Sequence, residues 1–240
     1  MYDNNYGDYN ARTYEEEFAS VKGMNAYISR VFGWMFIGLL ASGAVAYLVS
    51  TNMNIVRFIF GNRILLFGLM IAEVVLVAVL SSRITRLSYG AAVGMFLVYA
   101  ALNGITLSVI FLAFSQQTIA TAFVVTAATF GAMCIYGYVT RTDLTRFRNI
   151  LLMGLIGLLI LSLVNLFLNS SRVEWTICII SLFVFLGLTA YDMQKLKAYY
   201  FGSEGDMVLR KNLGIIGALS IYLDFINLFL TILRLADRRK

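Results

Sequence analysis

The sequence predicts an all-α membrane protein, a bundle of seven transmembrane helices. Two observations carry this prediction. Of the 240 residues, 60% are hydrophobic and only 13% are charged, whereas an ordinary soluble domain has roughly a quarter charged residues. The apolar residues also gather into seven stretches, each close to the ~20 residues that a spanning helix needs. So few charges could not cover the surface of a soluble chain of this length, and a soluble enzyme is therefore excluded.

The seven apolar stretches are joined by short connections, apart from a longer one between the sixth and the seventh. The stretches cover approximately residues 28–50, 64–82, 89–114, 118–140, 149–168, 173–193 and 213–235. The longer connection, residues 194–212, contains glycines and acidic residues and is the one loop expected to have room to move. Residues 28–240 are thus predicted to form a single multi-pass membrane domain, and a re-entrant last segment is the alternative to a spanning one.

A polar segment, residues 1–27, precedes the first apolar stretch. It is rich in Asn and Tyr and contains the acidic run Glu15, Glu16 and Glu17. It lacks the basic start and the apolar core of a signal peptide. We therefore expect a short, partly disordered tail.

The basic residues predict the orientation of the bundle. With the N-terminus inside, twelve Lys and Arg residues lie on the cytoplasmic side and seven on the other, in agreement with the positive-inside rule. This distribution also explains the net charge of +6 without a nucleic-acid partner, since the sequence has no basic patch interleaved with aromatic residues. The expected location is a membrane with the N-terminus in the cytoplasm, and the expected partner is the lipid bilayer.

The chain has no histidine. Histidine-based catalytic triads, zinc sites and pH switches are therefore excluded, and any proton chemistry must come from carboxylates. Cys134 and Cys178 lie inside apolar stretches and are interpreted as inert packing residues. We expect neither a cofactor nor an enzymatic activity.

Three carboxylates stand out within the apolar stretches: Glu73, Asp192 and Asp224. An ionisable group in mid-membrane costs about 2.5–3.5 kcal/mol on insertion scales, so each of them is a functional candidate. Asp192 also has a structural interpretation, as an interfacial carboxylate offset by Lys195 one turn later. Asp224 has one as well, as a residue that joins helices through hydrogen bonds with Asn227 or a neighbouring helix.

Asp192 and Asp224 lie on adjacent predicted spans and are expected to meet. Two carboxylates in a low-dielectric site cannot both ionise cheaply, so they titrate as a unit and sense pH without histidine. Their oxygens are also the hard ligands that Ca²⁺ prefers. Glu73 is expected to pair with Arg234 if the second and seventh spans pack together, either as a structural salt bridge or as part of an ion path.

Three motifs carry a resemblance to a known family. They are ALSIYLDFINLFL at residues 218–230, Tyr191-Asp192 at the end of the sixth stretch, and LNGITLS at residues 102–108. In these motifs the chain, from about residue 25 to its end, resembles the transmembrane Bax inhibitor family, also called Bax inhibitor-1-like. Its compact length and short loops resemble those of bacterial members in the plasma membrane.

The resemblance implies a seven-helix protein that lets Ca²⁺ leak down its gradient in a pH-dependent manner. It implies that Asp192 and Asp224 form the pH-sensing pair that gates the leak. It also implies that a basic residue at the cytoplasmic end of the second helix, Arg83 or Arg86, latches the closed form.

Glu73 and Arg234 match the second acidic and basic positions of that family. In the closed form, span two is expected to plug the bundle while the aspartate pair shares a proton and is held by the latch. A change in pH would release span two, and Glu73, Asp192 and Asp224 would then offer oxygens to Ca²⁺ as transient ligands. Weak, sequential sites of this kind suit conduction.

Two other functions remain as alternatives. A non-conducting interaction protein would regulate a membrane protease or cell-death and stress machinery through a membrane-protein partner, as the resemblance implies for some members. The less favoured alternative is an intramembrane aspartyl protease, which also needs two carboxylates on adjacent helices. Those proteases carry Gly-x-Gly ahead of the second aspartate, whereas Ile221, Tyr222 and Leu223 precede Asp224 here.

Overall fold

The computed structural model describes residues 5–237, with side chains from residue 20 onward except at residue 166. This part of the chain is helical and contains no strand. Its elements are α1 (Asn5–Ser50), α2 (Met53–Gly61), α3 (Arg63–Arg83), α4 (Tyr89–Leu107), α5 (Ile110–Ala113), α6 (Gln116–Val139), a 3-10 helix (Leu144–Phe147), α7 (Arg148–Leu168), α8 (Ser171–Gly202) and α9 (Met207–Asp237).

Within the described residues, seven segments are long and apolar enough to cross a membrane. Spans one to seven are Ser20–Ser50, Arg63–Arg83, Tyr89–Ala113, Gln116–Val139, Leu144–Asn165, Ser171–Gly202 and Met207–Asp237. Each predicted stretch overlaps one of these spans, so the all-α, seven-helix fold class is confirmed. The short helix α2, in the connection between spans one and two, is an addition that hydropathy alone did not predict.

Helix α9 lies at the centre of the bundle. It packs against α1, α4, α6 and α8, and its buried side chains follow the helix all round because neighbours surround it. Ile215, Ala218, Ile221 and Leu228 have no exposed surface. The motif of the seventh apolar stretch therefore forms the core of the molecule.

The seventh span crosses the bundle without interruption. Its 31 residues, at ~1.5 Å each, give a helix about 46 Å long, and the hydrocarbon core of a bilayer is only ~30 Å thick. No break occurs in Met207–Asp237 at which the chain could turn back. The structure therefore favours a spanning last segment over the re-entrant alternative.

Helices α3 and α7 lie at the periphery. α3 packs mainly against α4 and α2, and α7 mainly against α8. Large apolar side chains on their outer faces stay exposed, for example Ile64 and Val74 on α3 and Met153 on α7. Such faces are expected of helices that contact lipid.

The structure corrects two expectations about polar segments. Helix α1 begins at Asn5, so residues 5–27 continue the first span as a helix where a partly disordered tail was expected; residues 1–4 lie outside the described range. The polar composition of this segment does not prevent a helix, because the segment contains alanines and glutamates and has no proline.

The connection expected at residues 194–212 is likewise short in the structure. α8 continues to Gly202 and α9 starts at Met207, because both helices extend past the apolar stretches. Gly205, with φ of 83°, makes the turn in a conformation that glycine adopts without strain. Asp206 then caps α9 by accepting hydrogen bonds from the backbone N–H groups of Val208 and Leu209.

Candidate functional site

Asp192 and Asp224 line one cavity of about 280 Å³ between α7, α8 and α9. Ser220 lies one turn before Asp224 on α9, and its hydroxyl is within hydrogen-bonding range of the Asp192 carboxylate. The two carboxylates are close enough to interact electrostatically. The structure thus brings together the two aspartates that the sequence placed on adjacent spans.

The two carboxylates differ in their partners. Asp192 Oδ1 lies 3.7 Å from the Nζ atom of Lys195, whose side chain is 33% exposed. Asp224 is only 5% exposed, and its Oδ2 atom has no hydrogen-bond partner. Burying an ionised group without a partner is costly. Protonation of Asp224 would remove this cost and leave a single negative charge in the cavity, on Asp192 beside Lys195.

The basic residues at this cavity are Lys195 and Arg148, and neither predicted latch residue lines it. Arg83 is the last residue of α3 and Arg86 lies in the following turn, both with exposed side chains. The latch and plug expectations are therefore corrected in this structure. The physical reason is that α3 packs at the periphery against α4 and does not enter the space between α8 and α9.

Arg148 reaches the cavity because the connection between α6 and α7 is fastened to α8. The side chain of Gln194 on α8 accepts a hydrogen bond from the N–H of Leu144 at 2.8 Å and donates one to the carbonyl of Thr142 at 2.9 Å. The 3-10 helix held in this way leads directly into Arg148, the first residue of α7. Sequence reasoning missed Gln194 and Arg148, since their role depends on contacts between spans.

Asp143 caps the same 3-10 helix outside the spans. Its Oδ1 atom accepts hydrogen bonds from the hydroxyl of Thr145 at 2.6 Å and from the Thr145 N–H at 2.9 Å. These bonds, helped by the nearby charge of Arg146, hold the pKa of the Asp143 carboxyl below its usual value. The carboxylate form is therefore retained at pH values where an ordinary aspartate begins to protonate.

Glu73 on α3 has a different partner from the predicted Arg234. Its Oε1 atom accepts a hydrogen bond from the hydroxyl of Thr106 at 3.0 Å, and the side chain of Asn103 lies within hydrogen-bonding range. Arg234 lines a separate cavity of about 430 Å³ near Asn165. The pairing with Arg234 is corrected because span two packs against span three, which carries Asn103 and Thr106.

A polar network in the bundle interior joins the motifs of spans three and seven. The hydroxyl of Tyr222 donates a hydrogen bond to Asn103 Oδ1 at 2.9 Å and lies 2.6 Å from the hydroxyl of Ser42 on α1. Through Asn103 and Thr106 the network continues to Glu73 on α3. Tyr222 and Asp224, two residues apart, face different sides of α9, so this helix carries a polar site on each side.

Tyr222→Phe is expected to lower the free energy of unfolding by about 1–2 kcal/mol, because the change removes two buried hydrogen bonds and leaves Asn103 without its donor. The loss is measured as a lower Tm of the purified protein in detergent. Tyr47→Phe is the matched control, since Tyr47 is 55% exposed and should give an unchanged Tm. Equal Tm values for the two variants would contradict a stabilising network.

We call the cavity lined by Asp192 and Asp224 the aspartate cavity, and these two residues are the carboxylates among its described lining residues. Among the residues that the structure describes, no three His, Cys, Asp or Glu side chains are grouped so that they could hold a metal ion. The cavity is thus suited to exchanging a proton, or to contacting a passing cation, through two side chains.

A bundle of seven apolar helices, one of them buried at its centre, with carboxylates inside the bundle, defines a multi-pass integral membrane protein. The chain belongs to the Bax inhibitor family: the family described as "Inhibitor of apoptosis-promoting Bax1" matches residues 24–240. The resemblance seen in the three sequence motifs is therefore confirmed.

Bacterial relatives cover nearly the whole chain. The inner membrane protein YbhL of Escherichia coli strain K12 is 46% identical over 221 residues, 91% of this chain and 94% of YbhL. An uncharacterized protein of Borreliella burgdorferi is 40% identical over 216 residues, 90% of this chain and 93% of its own. An uncharacterized protein of Deinococcus radiodurans is 39% identical over 217 residues, which are 90% of this chain and 92% of that protein. The expectation of a bacterial member is confirmed.

Proposed function

We propose that the protein is a pH-sensitive leak channel for Ca²⁺, gated by Asp192 and Asp224, in a bacterial inner membrane with its N-terminus in the cytoplasm. The observation that supports this proposal is the shared cavity, in which a buried carboxylate oxygen without a hydrogen-bond partner lies beside a second carboxylate. A purely structural carboxylate in mid-membrane would have its oxygens hydrogen bonded, because its insertion is costly.

The closed form is the one in which the two carboxylates share a proton. The remaining negative charge is offset by Lys195 at 3.7 Å and by Arg148 at the edge of the cavity. Loss of the shared proton places two negative charges in one low-dielectric space. Repulsion between them then favours either separation of α8 from α9 or entry of a cation. Carboxylate oxygens of this kind are the ligands that Ca²⁺ prefers.

A cation that passes the pair needs further oxygen ligands within the bundle. Glu73 and Asn103 supply them on the other side of α9, where they lie next to Thr106. Few ligands at each position keep binding weak, which suits conduction better than storage. The proposed activity is non-catalytic and requires no cofactor, with Ca²⁺ as the permeant ion.

The test is Ca²⁺ flux into liposomes that contain the purified protein, measured between about pH 5 and about pH 8. Wild-type protein is expected to give a leak that varies with pH. Asp192→Asn and Asp224→Asn are each expected to give a leak that no longer varies with pH, because neither variant has a pair that can share a proton.

Asp206→Asn is the matched control for this experiment. It removes one exposed carboxylate outside the cavity, and asparagine caps a helix about as well as aspartate. This variant is expected to keep the wild-type pH profile. Wild-type liposomes that are no leakier than empty ones at any pH would overturn the proposal and favour the alternative of a non-conducting interaction protein.

A further inference from the structure

A second cavity, of about 230 Å³, lies between residues 23–34 of α1, the starts of α4 and α9, and the end of α8. Among the described residues, every charged side chain that lines it is basic, and aromatic rings supply much of the remaining wall. The basic residues are Arg30, Arg210 and Lys211, and the aromatic residues are Tyr27, Trp34, Tyr89 and Tyr200. We call it the basic aromatic cavity. It is separate from the aspartate cavity and shares no lining residue with it.

One polar group in the basic aromatic cavity lacks a partner. Tyr27 is only 6% exposed, and its hydroxyl has no hydrogen-bond partner. A buried tyrosine hydroxyl usually finds a partner, so this unused donor indicates a missing acceptor. The acceptor must be compatible with three neighbouring positive charges, which favours an anionic oxygen.

Two of the basic side chains contact aromatic rings and keep hydrogen-bond donors that a ligand could use. The guanidinium of Arg210 lies 4.6 Å from the ring centroid of Tyr200, and among the described residues its N–H groups donate only to Ser203. Since a guanidinium has five N–H donors, at least two remain for a ligand. Lys211 Nζ lies 5.9 Å from the ring centroid of Tyr89. Stacking on the rings fixes the cations without neutralising them.

One glycine leaves room for an aromatic ring in the wall of the basic aromatic cavity. A Cβ atom at Gly23 would collide with the hydroxyl of Tyr200. The cavity lies where α8 ends and where α4 and α9 begin, and the wall includes Tyr89, the first residue of α4, and Tyr200, near the end of α8. Tryptophan and tyrosine at the ends of spans typically mark the level of lipid headgroups.

We infer that the basic aromatic cavity binds the headgroup phosphate of an anionic phospholipid. Phosphate oxygens would accept from the Tyr27 hydroxyl and from Arg210, while Arg30 and Lys211 balance the negative charge. Basic cavities between transmembrane helices bind anionic headgroups in this way. The lipid is favoured over a soluble phosphate because the wall combines the basic groups with Trp34 and Val31, apolar side chains that an acyl chain can contact.

The test is lipid retention by the full-length protein, measured by native mass spectrometry after titration with phosphatidylglycerol or phosphatidylcholine in detergent. Phosphatidylglycerol is expected to be retained in preference to phosphatidylcholine. Arg30→Gln and Lys211→Gln are each expected to weaken retention about fivefold, the loss expected for one charge near the surface. Arg63→Gln, at the start of α3 and outside this cavity, is the matched control and should bind like wild type.

Tyr27→Phe separates a binding role of the hydroxyl from a structural one. It is expected to weaken phosphatidylglycerol retention without lowering the Tm of the lipid-free protein, because the hydroxyl contacts no protein group. Equal retention of the two lipids would overturn the inference, as would an equal loss in Arg63→Gln. Displacement of phosphatidylglycerol by inorganic phosphate at similar concentrations would overturn the assignment to a lipid. None of these outcomes depends on Ca²⁺ flux.

Discussion

Gly137→Ala is expected to lower the free energy of unfolding by about 3 kcal/mol, the upper end of the usual cost of overpacking. α6 passes α8 so closely at this position that a Cβ atom on residue 137 would collide with the carbonyl oxygen of Ala190, and its distance to the carbonyl carbon would be 2.9 Å. The obstacle is backbone on a long helix, which cannot rotate away as a side chain would. The two helices must therefore move apart.

Thermal unfolding of the purified protein in detergent measures this loss. Gly131→Ala is the matched control, because it lies on the same helix and a Cβ atom there meets nothing within 4 Å. It is expected to leave the Tm unchanged or slightly higher, since alanine favours helix more than glycine. A Gly137→Ala variant as stable as Gly131→Ala would contradict the close packing of α6 on α8.

Asp224→Asn is expected to raise the free energy of unfolding by about 1–3 kcal/mol, the usual cost of a buried polar group without a partner. The Asp224 Oδ2 atom has no hydrogen-bond partner, and the change to asparagine removes a carboxyl group whose ionised form is costly to bury. Replacement of a carboxylate that stabilises the fold would instead lower the free energy of unfolding. A gain in stability together with loss of the pH-dependent leak is the combination expected of a functional carboxylate.

The Tm in detergent at neutral pH measures this gain, and Asp192→Asn supplies the comparison. Asp192 forms a salt bridge with the partly exposed Lys195, so its replacement is expected to lower the Tm by a small amount only, because water can still reach the lysine that loses its partner. A Tm for Asp224→Asn below that of wild type would contradict the assignment of Asp224 as a strained, unpartnered group.

The sequence determined the features that depend on local composition. The number of spans follows from the number of apolar stretches that are long enough to cross the hydrocarbon core, because the thickness of that core sets the length that a spanning helix needs. The candidate carboxylates Glu73, Asp192 and Asp224 follow as well, because a charged residue within such a stretch is costly wherever its helix lies in the bundle. The meeting of Asp192 with Asp224 was also predictable, since spans that are consecutive in the chain usually pack as neighbours.

The sequence could not determine the neighbours of helices that are distant in the chain. The pairing of Glu73 with Arg234 depends on the packing of span two against span seven, and the latch at Arg83 or Arg86 is implied by the family resemblance alone. Hydropathy does not indicate which apolar face of a spanning helix contacts protein and which contacts lipid, because both surroundings are apolar. Only the tertiary structure placed α3 against α4 and so gave Glu73 the hydroxyl of Thr106.

What the sequence determined by itself is thus the class of the protein, its seven spans and the carboxylates that lie within those spans. The tertiary structure decided which groups surround them: Lys195 and Arg148 at the aspartate pair, and an unpartnered Tyr27 hydroxyl among basic residues. The physical reason is that hydrophobic length acts along a single helix, whereas a hydrogen bond or an ion pair exists only when separate helices bring two atoms within a few ångströms.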